Sequence, residues 1–102
     1  MEYLVRETDR FSSWLERLKN VSAKITIARR IQRIKKGNFG DHKRIDTHLW
    51  ELRFQQGAGY RVYYTVQENR VIILVNGGDK STQQKDINTA RILLKEIQNE
   101  EE

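Results

Sequence analysis

The chain has 102 residues, which suits one compact domain, so we expect a single domain over residues 1–102. It contains no cysteine, which excludes disulfides and thiolate zinc sites, and we expect neither a metal nor another cofactor. The formal net charge is +5, but residues 96–102 hold four of the 14 acids, so residues 1–95 carry +9 and favour a polyanionic partner such as nucleic acid.

The sequence carries no signal for a membrane or for export. No apolar run approaches 18 residues, and the opening MEYLVRETDR lacks the apolar core of a signal peptide. We therefore expect a cytoplasmic protein that does not contact a membrane.

The first third of the chain predicts a strand and two helices. Residues 2–7 read as a short strand, and Thr8 is placed to cap a helix whose apolar stripe is Phe11, Trp14, Leu15 and Leu18. A second helix begins near Asn20 or Ser22 and ends at Lys36, with Gly37 as its C-terminal cap. Its buried side is predicted from the apolar spacing to be Ile25, Ala28, Ile31 and Ile34.

The opposite side of the second helix is basic, and no acid occurs between Glu16 and Asp41. A charged helix side is commonly just a solvated surface, and cations in a last turn also complement the helix dipole. The excess of positive charge nevertheless predicts contacts with RNA. Our RNA-binding candidates, on this helix, in the following segment and in the last helix, are Arg29, Arg30, Arg33, Lys36, Lys43, Arg44 and Lys85.

The remaining sequence predicts a loop, three strands and a final helix. GNFGDHKRIDTH, residues 37–48, reads as a mobile loop because of its glycines and turn formers. Strands at 48–55, 60–67 and 70–76, joined by short connections, predict an antiparallel meander. Ser81 is placed to cap the last helix, and its acidic end at residues 96–102 is expected to be frayed.

The predicted fold class is therefore α+β. We expect a small antiparallel sheet, made of the N-terminal strand and the C-terminal three-strand meander. Two N-terminal helices should pack on one of its faces, and a C-terminal helix completes the domain.

Alternation along the strands assigns the two faces of this sheet. Trp50, Leu52 and Phe54 point towards the helices, and the other face carries Glu51, Arg53, Arg61 and Tyr63. An antiparallel sheet tolerates one wet face, so we expect these arginines to be exposed. Ion pairs with Glu51 would be a purely structural account of them. The functional account is a phosphate or RNA site, because Lys80 follows the last strand and should converge with Arg53 and Arg61.

Two motifs carry a resemblance to a known family. LWELRFQQGAGYRVYY, residues 49–64, and GGDKSTQQKDI, residues 77–87, resemble the RelE/ParE toxin superfamily, and in particular its phage-derived, HigB-like branch of addiction module killer proteins. The resemblance spans nearly the whole chain and implies a RelE-like fold. It also implies a toxin that is held inactive by a co-expressed antitoxin, commonly a helix-turn-helix protein through which alone the complex contacts operator DNA.

For RelE-like and HigB-like toxins, the resemblance implies cleavage of mRNA in the A site of the 70S ribosome, without a metal. The 2′-hydroxyl attacks the adjacent phosphate and gives a 2′,3′-cyclic phosphate and a 5′-hydroxyl. Such a site must align the RNA, move two protons and stabilise the extra phosphorane charge.

The resemblance also implies roles for single residues. Arg53 occupies the position of a strand lysine of the RelE-like site, Arg61 matches the arginine at the scissile phosphate, and Lys80 falls where another cation follows the last strand. The second strand lysine is replaced by Glu51, and Asp86 or its neighbours stand where RelE has a tyrosine, so the general acid is unassigned.

Arginine is a poor general base because it keeps its proton at neutral pH. The candidates for proton transfer are therefore Glu51, Tyr63, His42, His48 and Lys43, of which Glu51, Tyr63 and His42 join Arg53, Arg61 and Lys80 as catalytic candidates.

Two other functions are compatible with the sequence. One is a ParE-like toxin that inhibits DNA gyrase by binding, without catalysis. The other is a catalytically inactive homologue that binds RNA or the antitoxin, for which Glu51 and the missing acid–base pair argue. Whichever of the three functions applies, we expect a hydrophobic segment of the antitoxin to lie across the helices or the sheet edge.

Overall fold

The structure, a computed structural model, describes residues 2–100, with side chains as far as Asn99. The elements in this range are β1 (Leu4–Glu7), α1 (Asp9–Arg17), α2 (Val21–Lys35), β2 (His42–Asp46), β3 (Leu49–Arg53), β4 (Arg61–Gln67), β5 (Val71–Gly78), a 3₁₀-helix (Lys80–Thr82) and α3 (Gln83–Glu100). The predicted α+β class is confirmed. Among these helices, none combines the length and the apolar character that a membrane span needs.

The five strands form one sheet in the order β1-β5-β4-β3-β2. Strands β3, β4 and β5 are antiparallel neighbours, so the predicted meander is confirmed. Strand β1 lies parallel to β5, which makes the sheet mixed rather than purely antiparallel. A hairpin would fix the direction of a strand, but β1 is separated from β5 by most of the chain, and local turn signals could not determine its orientation.

The prediction of a loop over residues 37–48 is wrong, because residues 42–46 form the edge strand β2. His42 is paired with Leu52 and Arg44 with Trp50, and the register shifts between Arg44 and Asp46. The sequence HKRID lacks apolar alternation because β2 lies at the sheet edge, where charged side chains are common.

Helices cover both faces of the sheet, so the prediction of one open face is also wrong. Helices α1 and α2 pack on one face, where the main core contains Phe11, Ile27, Ile34, Leu52, Val62, Tyr64 and Leu74. Helix α3 packs on the other face, where the second core contains Leu49, Tyr63, Val75, Ile87, Ala90 and Leu94. At 18 residues α3 is long enough to span the sheet, and its apolar stripe removes Glu51, Tyr63 and Thr65 from solvent.

Two of the three N-terminal helix caps predicted from the sequence are confirmed, and the third lies at a different residue. The Thr8 side chain accepts from the backbone amide of Phe11, and that of Asn20 accepts from the amide of Ala23, so both N-terminal caps are confirmed. At the last helical segment Asp79, rather than Ser81, is the cap, and it accepts from the Ser81 amide at 2.8 Å. Helix α3 continues through the acidic end as far as Glu100; residues 101 and 102 lie outside the described range.

Helix α2 is apolar on two sides. Its buried residues are Ala23, Ile27, Ile31 and Ile34, so the prediction that Ile25 and Ala28 face the core is wrong. Val21 and Ile25 are instead 66% and 47% exposed, and with Ala28 they form the exposed ridge of α2. Their spacing of four and three residues places these three side chains on one side of the helix, opposite the buried one.

Candidate active site

A cavity of about 480 Å³ opens where β3 ends and β4 begins. Arg53, the last residue of β3, and Arg61, the first residue of β4, are cross-strand partners, and both line it. Lys80 reaches the same cavity from the 3₁₀-helix that follows β5. We call this the cation cavity; its remaining lining residues are Asp41, Phe54, Gln55, Gly57, Ala58 and Gly59.

The guanidinium of Arg61 is held by the loop between β3 and β4. Its Nη1 donates to the carbonyl oxygens of Gly59 at 2.8 Å and Tyr60 at 3.2 Å. Gly59 has φ +73°, and a Cβ added there would lie 3.3 Å from the Cβ of Lys80 and 3.5 Å from Nη1 of Arg61. Glycine therefore allows the loop, Arg61 and Lys80 to pack directly against one another.

Glu51 lies between the two arginines and is fully buried. Its Oε1 is 3.5 Å from Nε of Arg53 and 3.8 Å from Nε of Arg61, and its Oε2 accepts from Nε2 of Gln83 on α3 at 2.8 Å. The side chain of Arg61 is only 10% exposed, whereas that of Arg53 is 39% exposed. Glu51 therefore orients both arginines from behind and does not line the cation cavity.

Tyr63 is the neighbour of Glu51 on the covered face and is also fully buried. Burial raises the pKa of Tyr63, and the negative charge of Glu51 raises it further, so the phenol stays protonated at neutral pH. Its hydroxyl has no hydrogen-bond partner among the described residues, and it does not reach the cation cavity. In this arrangement Tyr63 cannot contact a phosphate held there.

The two histidines lie elsewhere. His42 and His48 line a separate cavity of about 520 Å³ on the opposite face of the sheet, together with Tyr3, Phe39, Trp50 and Tyr64. Nδ1 of His42 is 2.8 Å from the carbonyl oxygen of Gly40, and its ring lies beside Phe39. His42 and Lys43 belong to a paired strand, so the expected mobile loop that would carry them to the cations is absent from the described chain.

Asp41 is the charged residue of the cation cavity that was not predicted from the sequence. Its carbonyl oxygen accepts from the backbone amide of Arg53 at 2.9 Å and from Nη1 of Arg30 at 3.3 Å. Its carboxylate is exposed and has no hydrogen-bond or ion-pair partner in the described part of the chain. Recognising β2 would have placed Asp41 beside Arg53, but the polar edge strand gave no such signal.

Arg30 has a structural role that its place in a basic helix did not predict. Its guanidinium donates to the carbonyl oxygens of Phe39, Asp41 and Arg53, and it lies 4.5 Å over the ring of Phe54. Burial lowers the pKa of Arg30, the charge of Arg33 lowers it further, and the carboxylate of Asp41 acts in the opposite direction. Arg30 therefore fastens the segment before β2 to the end of β3.

The other RNA-binding candidates are distributed over the surface. Arg29, Arg33 and Lys36 are exposed on α2 and at its end, and Lys85 is exposed on α3. Lys43 is exposed on β2, and Arg44 donates to the carbonyls of Asp46 and Thr47 while its guanidinium lies 5.3 Å over the Trp50 ring. None of these six side chains lines the cation cavity.

Asp86, the residue at the position of the RelE tyrosine, does not line the cation cavity either. Its carboxylate accepts from Oγ1 of Thr82 and packs against Gly78, and it borders a groove of about 740 Å³ between α1 and the end of β5. The cation cavity thus combines three cations with one free carboxylate, and the remaining proton-transfer candidates lie outside it.

The sequence of this chain is similar to one protein family and to one bacterial protein. The profile of the family described as "Phage derived protein Gp49-like" matches residues 13–95. An uncharacterised protein of Haemophilus influenzae is 47% identical over 97 residues, which is 95% of this chain and 98% of that protein.

Two solved structures share the fold. The E. coli toxin RelE, a double mutant in the free state, matches with a TM-score of 0.70 at 13% identity, over 90% of this chain and 96% of the other. A chain of the intact E. coli RelBE toxin–antitoxin complex matches with a TM-score of 0.56 at 14% identity, over 76% of this chain and 95% of that one.

Proposed function

The chain belongs to the Gp49-like family of phage-derived proteins and has the RelE fold, and from this premise we propose that it is the toxin of a type II toxin–antitoxin system that cuts mRNA on the ribosome. The cut inhibits translation, needs no metal and occurs in the ribosomal A site. The observation that supports this most is the cation cavity, where Arg53, Arg61 and Lys80 surround a space for a phosphate.

The cavity suits phosphoryl transfer because its two arginines are oriented before substrate binds. Arg61 is fixed by two backbone carbonyls and by Glu51, so little reorganisation is needed when a phosphate enters. A phosphodiester carries one negative charge, and attack by the 2′-hydroxyl adds a second in the phosphorane. Donors oriented in advance stabilise such developing charge more strongly than water does.

The proposed partners are the 70S ribosome with its mRNA and a cognate antitoxin. The likeness to a chain of the RelBE toxin–antitoxin complex supports the antitoxin. We assign it a helix-turn-helix domain through which the complex contacts operator DNA, and its hydrophobic segment is proposed to lie on the exposed ridge of α2. Both partners are cytoplasmic.

The cation cavity also separates this function from the alternatives. A gyrase inhibitor that acts by binding alone has no need of three cations around a phosphate-sized space. Glu51 argues for an inactive homologue, because its negative charge offsets part of the positive charge of the two arginines. Because Glu51 lies behind the arginines, it leaves the cavity itself open to a phosphate.

The test is translation in a purified system, followed by primer extension on the mRNA. The wild-type protein should produce discrete cuts that need the ribosome, and a single 2′-deoxynucleotide at the cut position should abolish the cut there. Lys80→Met should lower the cleavage rate by roughly 10²–10³-fold, as expected for loss of one stabilising donor. Lys95→Met, an exposed lysine on α3, is the matched control and should cleave like wild type.

Each other result has a defined meaning. Cuts that persist with the 2′-deoxynucleotide would refute attack by the 2′-hydroxyl. Blocked translation with intact mRNA would point to the inactive RNA-binding homologue. Unaffected translation would direct the next assay to DNA gyrase supercoiling.

A further inference from the structure

The proposed cleavage needs a group that accepts the proton of the 2′-hydroxyl, and most candidates cannot reach it. Glu51 and Tyr63 are fully buried behind the arginines, and Tyr63 stays protonated. His42 and His48 line a cavity on the other face of the sheet. Arginine and lysine are protonated at neutral pH, so the three cations hold a phosphate but do not take a proton.

Asp41 is the remaining group, and it has the properties that a proton acceptor needs. Of the described residues that line the cation cavity, it is the only carboxylate. Aspartate is ordinarily ionised at neutral pH, and a carboxylate without hydrogen-bond or ion-pair partners has its lone pairs available.

The fold holds Asp41 beside the cations through its backbone. The backbone amide of Arg53 donates to the backbone carbonyl of Asp41 at 2.9 Å, so the main chains of these two cavity residues are held side by side. Arg30 donates to the same carbonyl and to those of Phe39 and Arg53. At Gly40 a Cβ would lie 3.0 Å from Nη1 of Arg30, so the chain passes directly over this guanidinium before it reaches Asp41.

From this arrangement we infer that Asp41 is the general base of the cleavage that we propose for this protein. The Asp41 carboxylate takes the proton of the 2′-hydroxyl while the 2′-oxygen bonds to phosphorus. The bond between phosphorus and the 5′-oxygen breaks, and the leaving oxygen takes a proton from water. The products are a 2′,3′-cyclic phosphate and a 5′-hydroxyl, and the protonated Asp41 returns its proton to solvent.

A carboxylate that only balanced the charge of the arginines would behave differently. Removing its charge would make the cavity more positive, so RNA would bind as well or better and cleavage would not slow. A general base contributes typically 10²–10⁴-fold to the rate, and its loss also removes its titration from the pH dependence of that rate. The two roles are therefore separable by experiment.

The experiment is single-turnover cleavage of mRNA on programmed ribosomes, with saturating protein and over a range of pH. Asp41→Asn should cleave about 10²–10⁴-fold more slowly, bind the ribosome with unchanged affinity and lack the fall in rate at acid pH that we expect for wild type. Asp41→Glu keeps the carboxylate and should retain that pH dependence with much of the rate. Glu16→Gln, an exposed carboxylate on α1, is the control and should match wild type.

This inference rests on the proposed function, and the two fail in different ways. If wild type does not cut mRNA, the proposed function fails whatever Asp41 does. If wild type cuts and Asp41→Asn cuts at the same rate with the same pH dependence, the proposed function stands and the role of Asp41 is refuted. A slow Asp41→Asn variant that keeps the wild-type pH profile would also refute it.

Discussion

Replacing Arg61 with methionine should destabilise the fold chiefly through the charge left behind on Glu51. Glu51 is fully buried and has two cations near it, and Arg61 is the more buried of the two. Breaking a buried ion pair by removing one partner costs about 3–5 kcal/mol, because the remaining charge is uncompensated. Arg53 stays 3.5 Å away in the variant, so we expect the lower end, about 3 kcal/mol.

The same reasoning predicts that Glu51→Gln will rescue most of this loss. The amide carries no charge and still accepts from Nε2 of Gln83, which is 2.8 Å from the wild-type carboxylate. In a Glu51→Gln background, Arg61→Met should cost only about 1 kcal/mol, so the coupling energy of the two positions is about 2 kcal/mol. Arg53→Met is the comparison: its partly exposed pair should contribute at most about 1 kcal/mol.

Urea unfolding of the four variants and wild type, followed by circular dichroism, measures these free energies. A loss of about 3 kcal/mol corresponds to a fall in melting temperature of roughly 15 °C for a domain of this size. Equal losses for Arg61→Met and Arg53→Met, or no rescue by Glu51→Gln, would refute the buried-anion argument. The double variant also has a functional use: it should be folded yet unable to cleave mRNA, which separates loss of Arg61 chemistry from loss of structure.

Two further predictions concern residues that the structure removes from the cation cavity. Tyr63→Phe should cleave mRNA at the wild-type rate, because the buried hydroxyl reaches no substrate, and a large loss in the translation assay would return Tyr63 to the catalytic group. Burial raises the pKa of Tyr63 above the value near 10 of an unfolded tyrosine, so the protonated phenol contributes its full stabilisation of the fold below pH 10. This stabilisation is lost as the pH rises further. In urea unfolding above pH 10, the free energy of unfolding should therefore fall less for Tyr63→Phe than for wild type. On the exposed ridge of α2, Val21→Glu with Ile25→Glu should leave stability and growth arrest unchanged but prevent neutralisation by the co-expressed cognate antitoxin, and continued neutralisation would place the antitoxin elsewhere.

The sequence was sufficient for the elements whose signals are local. The caps at Thr8 and Asn20 and the meander of β3 to β5 depend on a few neighbouring residues, and the structure has them as predicted. The resemblance to the phage-derived branch of the RelE-like superfamily is confirmed by the family match and the shared fold. Strand alternation and this resemblance both pointed to Arg53, Arg61 and Lys80, which the structure brings to one cavity.

The errors arise where tertiary packing decides between two local patterns. Helix α2 is apolar on two sides, and the spacing alone could not tell which side the sheet would cover. Alternation correctly put Glu51, Arg53, Arg61 and Tyr63 on one face of the sheet. It could not predict that α3 covers most of that face. Strand β2 has no apolar alternation, so its pairing with β3 could not be predicted from the sequence. The position of Asp41, directly before β2, follows from that pairing and was missed for the same reason.

The two carboxylates near the arginines suit different tasks because one is buried and the other exposed. Glu51 has its oxygens near Arg53, Arg61 and Gln83, so it can orient these groups but cannot meet RNA. Asp41 is exposed, has no such side-chain partners in the described chain and lines the cavity. With three cations and two carboxylates, the resting site carries a net charge of about +1. In the proposed reaction the phosphate gains one negative charge as Asp41 loses its own, so the total charge of site and substrate does not change. If Glu51 were the base instead, the proton would neutralise a carboxylate inside a buried ion-pair network. Arg61 would then be less firmly oriented while the phosphorane, whose charge it stabilises, is forming.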